Sequence, residues 1–135
     1  MDLDDIPVAD VMTQGVVSCA SDMPLSDIAT RMEASRIHCV VVQPSGSREE
    51  GRAWGVVSDL DLVGAISMPE ISAGAIAATP TVTVSTQDSV GRAASLMSEY
   101  QTTHLLVLDA GGYPSGVVST LDVARALSRS PTDVG

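Results

Sequence analysis

The chain has no phenylalanine and no lysine, and only one tryptophan, two tyrosines and two cysteines. Each shortage removes a class of function. Proteins that hold single strands stack bases on aromatic side chains, and Trp54, Tyr100 and Tyr113 are too little material for that. All seven basic residues are arginine, set against 17 acids for a net charge of −10. A field of that sign repels phosphate backbones and anionic lipid, so neither nucleic acid nor membrane is an expected partner. A zinc site requires closely spaced Cys or His pairs. Cys19 and Cys39 stand twenty positions apart in apolar, strand-like stretches, and they read as small buried hydrophobes rather than metal or redox groups. Apolar runs such as 40–42 and 105–108 are far too short to span a bilayer. The opening residues Met1-Asp2-Leu3-Asp4-Asp5 carry acids where a secretory signal carries positive charge. A soluble, cytoplasmic protein is expected.

What is present suits a globular fold, with 44% hydrophobic and 18% charged residues in 135. The most informative feature is an internal repeat. Gly55-Val56-Val57-Ser58-Asp59-Leu60-Asp61 returns 61 residues later as Gly116-Val117-Val118-Ser119-Thr120-Leu121-Asp122. The same order of signals precedes each copy. In the first half, 16–19 reads as a short strand, and Ser21-Asp22-Met23-Pro24 as a helix start. Leu25, Ile28, Ala29 and Met32 then fall on one helix face. The β-branched run 37–42 reads as a buried strand, a polar loop covers 43–53, and 54–57 is a second strand. A helix from Asp59 carries Leu62, Val63 and Ile66. In the second half, 82–84 is the short strand and Ser85-x-x-Asp88 resembles a capping box. Val90, Ala93, Ala94 and Met97 repeat the stripe, 104–108 is the buried strand, and Asp109-Ala110-Gly111-Gly112 a turn. The strand 113–118 follows, and a helix from Thr120 carries Val123, Ala124 and Leu127.

Each half therefore reads β-α-β-β-α, a mixed α/β (α+β) fold. A unit of about sixty residues buries little apolar surface alone, so the two sheets are expected to pack into one inseparable module. The first motif is placed at 5–68, the second at 69–129, and 130–135 is read as a disordered tail. Met12, Met32 and Met97 are read as core filler.

These residues resemble the CBS motif. Val11-Met12-Thr13, Pro24-Leu25, a helix ending near Met32, a strand, and Gly55-Val56-Val57-Ser58-x-x-Asp61 carry the resemblance in the first half. Thr79-Pro80, Ala93, Met97, His104 and Gly116-Val117-Val118-Ser119-x-x-Asp122 carry it in the second. It spans nearly the whole chain, from about Asp5 to Leu127. The resemblance implies a CBS pair, or Bateman module, with pseudo-twofold symmetry and clefts that hold adenosine-containing ligands such as AMP, ADP, ATP or S-adenosylmethionine. It implies that Asp61 and Asp122 accept the ribose hydroxyls and that Ser58 and Ser119 sit near a phosphate. Thr13, Ile37 and His38, with Thr79, Thr103 and His104, complete the implied set. It also implies a homodimer, for which 73–78, Met23 and Met68 offer small or adaptable apolar surface.

The chemistry of that assignment is sound, because one carboxylate can accept both vicinal ribose hydroxyls and free helix N-terminal amides suit an anion. A glycine just before the motif allows close approach. The Ser-x-x-Asp spacing equally satisfies a capping box with no ligand at all, and His38 and His104 read equally as core or rim residues. Many nucleotide-binding CBS motifs carry a basic residue between Ser/Thr and Asp, where both copies here have leucine, Leu60 and Leu121. A ligand with little phosphate charge fits that difference. No Ser-His-Asp arrangement, metal cluster or phosphate-binding loop marks an enzyme, and no cofactor is required. The alternative to a ligand-sensing regulatory module is a structural or protein-interaction module with vestigial clefts. A downstream protein partner is implied but not specified.

Overall fold

In the computed structural model, residues 3–43, 54–68, 70–77 and 82–129 are described. Two 3-10 turns, Leu3–Asp5 and Val8–Asp10, precede the regular elements. These run β1 (Thr13–Gln14), β2 (Ser18–Cys19), α1 (Leu25–Ser35), β3 (Cys39–Val42), β4 (Gly55–Ser58), α2 (Asp59–Gly64), α3 (Ala73–Ile76), β5 (Thr83–Ser85), α4 (Val90–Tyr100), β6 (His104–Leu108), β7 (Pro114–Ser119) and α5 (Thr120–Arg129). The expected tail and the loop 44–53 lie outside the described residues.

The chain forms two compact units. One comprises residues 17–81 and the other joins residues 1–16 to residues 82–135. In the first-half unit, β2 pairs parallel with β3, and β3 antiparallel with β4. Its core gathers Cys19, Ile28, Met32, Val40, Val42, Val57 and Ala73. The helix stripe on α1 works as its spacing predicts at Leu25, Ile28 and Met32, which are buried, whereas Ala29 is exposed.

The second-half unit repeats this arrangement and adds a strand. β5 pairs parallel with β6, β6 antiparallel with β7, and β1 antiparallel with β7, so that the sheet order is β1-β7-β6-β5. Val8, Val84, Ala93, Met97, Leu105, Val107 and Val118 form its core, with Val11 and Met12 packed against it. The opening residues thus serve the second repeat, although chain order sets them beside the first. The Val8 and Val90 amides fix them there by donating to the carbonyls of Asp88 (2.7 Å) and Ile6 (2.8 Å).

Two local readings change. Ser85-x-x-Asp88 does not start the helix. Asp88 accepts from the Ser85 amide at 2.8 Å in a turn, and the helix cap is Ser89, which accepts from the Arg92 amide. Segment 73–78, read as interface material, contains α3. Ala73 is fully buried there, and Ile76, Ala77 and Met23 pack on the first core. The apolar side chains that follow the two caps are split between core and surface, with Leu62 and Val123 packed on the two cores. Val63, Ile66 and Leu127 are exposed, Leu62 and Val123 are partly buried, and Ala126 and Asp122 are the buried side of α5.

Both long helices end alike. Arg36 and Gln101 follow α1 and α4 with φ of 55° and 53°, in the left-handed region. Helices commonly stop on such a residue, which is usually glycine.

Candidate functional site

The doubled Ser-x-x-Asp lies at the junction of strand and helix in each unit, β4 with α2 and β7 with α5. The preceding valines anchor the junction, since Val57 and Val118 are fully buried. Ser58 retains extended backbone, with φ −99° and ψ 169°, and the helix begins after it. Its hydroxyl accepts from the Asp61 amide at 3.3 Å, while Asp61 Oδ2 accepts from the Ser58 amide at 2.8 Å and from its hydroxyl at 3.1 Å. The second copy has the same three bonds at 3.2, 2.8 and 3.1 Å between Ser119 and Asp122. Both are capping boxes, which supply partners to amides that a helix start leaves unpaired.

In each copy these bonds use one carboxylate oxygen only, Oδ2. The cap therefore accounts for half of the acceptor capacity of each aspartate, and a carboxylate has two oxygens to offer. Ser58 and Asp122 are the two buried polar residues among those described, each 7% exposed. The Arg125 guanidinium lies 3.9 Å from Asp122 Oδ1, a long ion pair on one turn of α5.

The other nominated residues divide between the units. Ile37 is partly buried and packs on the first core, a structural role. His38 is exposed, and its Nδ1 lies 3.0 Å from Asp59 Oδ2. Thr13 is exposed on β1, paired with Val117 of β7, so it belongs with Ser119 and Asp122 rather than with Ile37 and His38. Thr103 is exposed and its hydroxyl lies 2.9 Å from His104 Nδ1. Thr79 lies outside the described residues.

The two histidines are not counterparts. Cys39 pairs with Ser58 across β3 and β4, and His104 pairs with Ser119 across β6 and β7. The backbone bonds agree: the Asp59 amide donates to the His38 carbonyl at 2.8 Å, and the Thr120 amide to that of Thr103 at 3.0 Å. His38 therefore corresponds to Thr103, and Cys39 to His104. Directly paired residues share a sheet face, so His104 projects on the side of Ser119, while Cys39 takes that place beside Ser58. Burial pushes the Cys39 thiol up to about 11, and the Asp59 carboxylate pushes the same way. Cys19 is raised as well, chiefly by burial.

The glycine of the second motif also has a different reason from close approach of a ligand. A Cβ on Gly116 would collide with the Thr13 carbonyl oxygen and lie 2.9 Å from Met12 Sδ. It is β1 that presses on this strand. Sequence reading passed over Asp59, Thr120 and Arg125. Comparing the repeats position by position at the 61-residue spacing would have found them, since Asp59 answers to Thr120 and Gly64 to Arg125. Among the described residues no group of three His, Cys, Asp or Glu side chains could hold a metal ion, and no helix is long and apolar enough to cross a membrane.

The fold has solved relatives. A CBS domain protein from Pyrobaculum aerophilum, complexed with AMP, superposes with a TM-score of 0.74 at 23% identity, covering 93% of this chain and all (100%) of that one. A CBS domain pair in complex with 5′-methylthioadenosine and S-adenosyl-L-methionine gives 0.75 at 18% identity, over 90% of this chain and 95% of that one. The hexameric CBS-CP12 protein from bloom-forming cyanobacteria gives 0.82 at 21% identity, over 96% and 76%. No curated protein matches the chain by sequence. The CBS domain family itself matches twice, at residues 8–68 and 73–129. With the doubled strand–cap–helix junction and these two matches covering most of its length, the chain belongs to the CBS domain family and carries the domain as a pair.

Proposed function

We propose that this CBS pair is a regulatory module that senses an adenosine-containing small molecule through the Ser-x-x-Asp junctions. The observation that carries the proposal is the half-used carboxylate, repeated in both units. Asp61 and Asp122 each spend Oδ2 on the cap; Oδ1 is the acceptor offered to a ribose hydroxyl, and in Asp122 it also faces the Arg125 guanidinium at 3.9 Å. Such charge-assisted bonds are about twice as strong as neutral ones. The ligands of two structural neighbours, AMP in one and 5′-methylthioadenosine with S-adenosyl-L-methionine in the other, support an adenosyl group as the common chemistry.

The role is binding rather than catalysis, with ligand shifting the population of conformations that a protein partner reads. The cytoplasm, where such nucleotides are abundant, is the proposed location. The working form is a homodimer. Val63, Ile66 and Met68 of the first half, and Leu121 and Leu127 of the second, are exposed apolar side chains, and closed twofold dimers are the commonest soluble assembly.

Equilibrium binding of AMP, ATP and S-adenosylmethionine tests the proposal, preceded by mass spectrometry of the purified protein for carried-over nucleotide. Saturable binding of at least one at micromolar concentration is expected. If none of them binds, the structural reading of the two caps stands instead.

A further inference from the structure

We infer that the two junctions differ in the charge of ligand they accept. The Ser119–Asp122 junction takes a phosphorylated adenosine, and the Ser58–Asp61 junction rejects phosphate and takes at most the unphosphorylated nucleoside. The inference rests on the proposed adenosyl-binding function and assigns each site its ligand class.

Strand register and helix starts make several positions of the two junctions equivalent. The first residue of the helix is Asp59 in α2 and Thr120 in α5. The residue three past the capping aspartate is Gly64 in α2 and Arg125 in α5. The first junction thus holds two carboxylates, Asp59 and Asp61, and no arginine at the matched position. The second holds one carboxylate, Asp122, with the Arg125 guanidinium 3.9 Å from its Oδ1. Over the matched positions the formal charge is −2 in one unit and zero in the other.

His38 does not restore the balance. It sits 3.0 Å from Asp59 Oδ2 and is 80% exposed, a surface pair of the kind that contributes little. Its counterpart Thr103 has its hydroxyl 2.9 Å from His104 Nδ1, in a unit whose matched helix position is uncharged. A ligand ribose at Asp61 would bring an attached 5′-phosphate within several ångströms of Asp59. Like charges that close repel even in water-like surroundings, and a phosphate monoester carries close to two. Leu60 and Leu121 occupy the intervening position in both junctions and so do not discriminate.

The deciding experiment is calorimetry with adenosine and AMP on the full chain, at two ionic strengths. In the wild type, AMP should fill one site per chain. The double variant Asp59→Thr/Gly64→Arg copies the second junction's charges into the first, and should open a second AMP site. Gly64 has open space around its Cβ position and no left-handed φ, so arginine fits there. The reverse variant, Thr120→Asp/Arg125→Gln, should weaken AMP about tenfold and leave adenosine within about twofold, with the AMP loss shrinking as salt screens it. Two equal AMP sites in the wild type, or AMP and adenosine losing affinity equally in the reverse variant, would overturn the inference while leaving adenosyl binding intact. Failure of both adenosine and AMP to bind at all would remove the functional reading and this inference together.

Discussion

The first-half unit is built from one continuous stretch of chain, residues 17–81, and its sheet has three strands. The second-half unit recruits the first sixteen residues and has four. The same order of elements therefore closes in two ways. In the first half, α3 with Ala73 covers the core that the opening segment, through Val8, Val11 and Met12, covers in the second. The capping geometry survives this difference almost unchanged, with matching bond lengths at Ser58–Asp61 and Ser119–Asp122. The surroundings do not. One junction has Asp59 and Cys39 where the other has Thr120 and His104. A repeated motif here fixes a backbone corner and one carboxylate, and leaves the neighbouring charges free to diverge.

If the two cores are equivalent despite their different covers, truncating their central residues should cost alike. Ile28→Ala and Leu105→Ala each remove a fully buried side chain and should each lose about 2–5 kcal/mol in chemical denaturation. A loss below about 1 kcal/mol for either would mean that its core is much looser than its twin.

Gly116→Ala sharpens the contrast. The new methyl must displace the Thr13 backbone, at about 1–3 kcal/mol, the usual cost of overpacking. Faster amide exchange should appear in β1 and β7, while β3 and β4 keep their protection. Unchanged exchange in β1 would show that this strand does not lie against β7.

The next effect is confined to alkaline pH. Cys39 holds its proton more tightly in the native state than its ordinary value of 9.0, up to about 11. Its contribution is complete below pH 9 and is lost as pH rises toward 11, because the unfolded chain ionises first. Cys39→Ala should flatten that alkaline slope, leaving the smaller part due to Cys19. Thiol reagents at pH 8 should modify neither cysteine quickly in the native protein. Rapid labelling of Cys39 would contradict its environment.

The smallest change is a gain. Arg36 has left-handed φ, and Arg36→Gly removes a steric penalty that glycine lacks. An increase of about 0.5–1 kcal/mol is expected from melting curves. Gln101→Gly should gain less, since it also removes the Gln101 side-chain Nε2, which donates to the Ser98 carbonyl at 2.7 Å.

Much of this was legible in the residues. The i, i+3, i+7 stripes at Leu25, Ile28 and Met32, and at Val90, Ala93 and Met97, name the buried helix faces correctly because packing on a sheet needs that period. The doubled Ser-x-x-Asp marks both caps for the same local reason. Less legible were features set by long-range pairing. Nothing near Thr13 reveals that it pairs with Val117, about a hundred residues on, since a two-residue strand carries no periodicity of its own. The one-residue offset between His38 and His104 was hidden by loops of different length before Gly55 and Gly116. Register shows only once strands are paired. The stripes after the two caps do not by themselves say which side the core takes: Leu62 and Val123 pack inward, while Val63 and Leu127 are exposed.

The central claim is that a capping aspartate also holds the ligand, and Asp122→Asn tests it most directly. Asparagine keeps an oxygen for the Ser119 amide, so the cap and fold should persist, while the charged acceptor is lost. Calorimetric titration with AMP should show binding weakened by about 1–3 kcal/mol, roughly 5- to 150-fold, with the melting temperature little changed. An AMP affinity equal to that of the wild type, in a variant that remains folded, would mean that Asp122 serves only its helix.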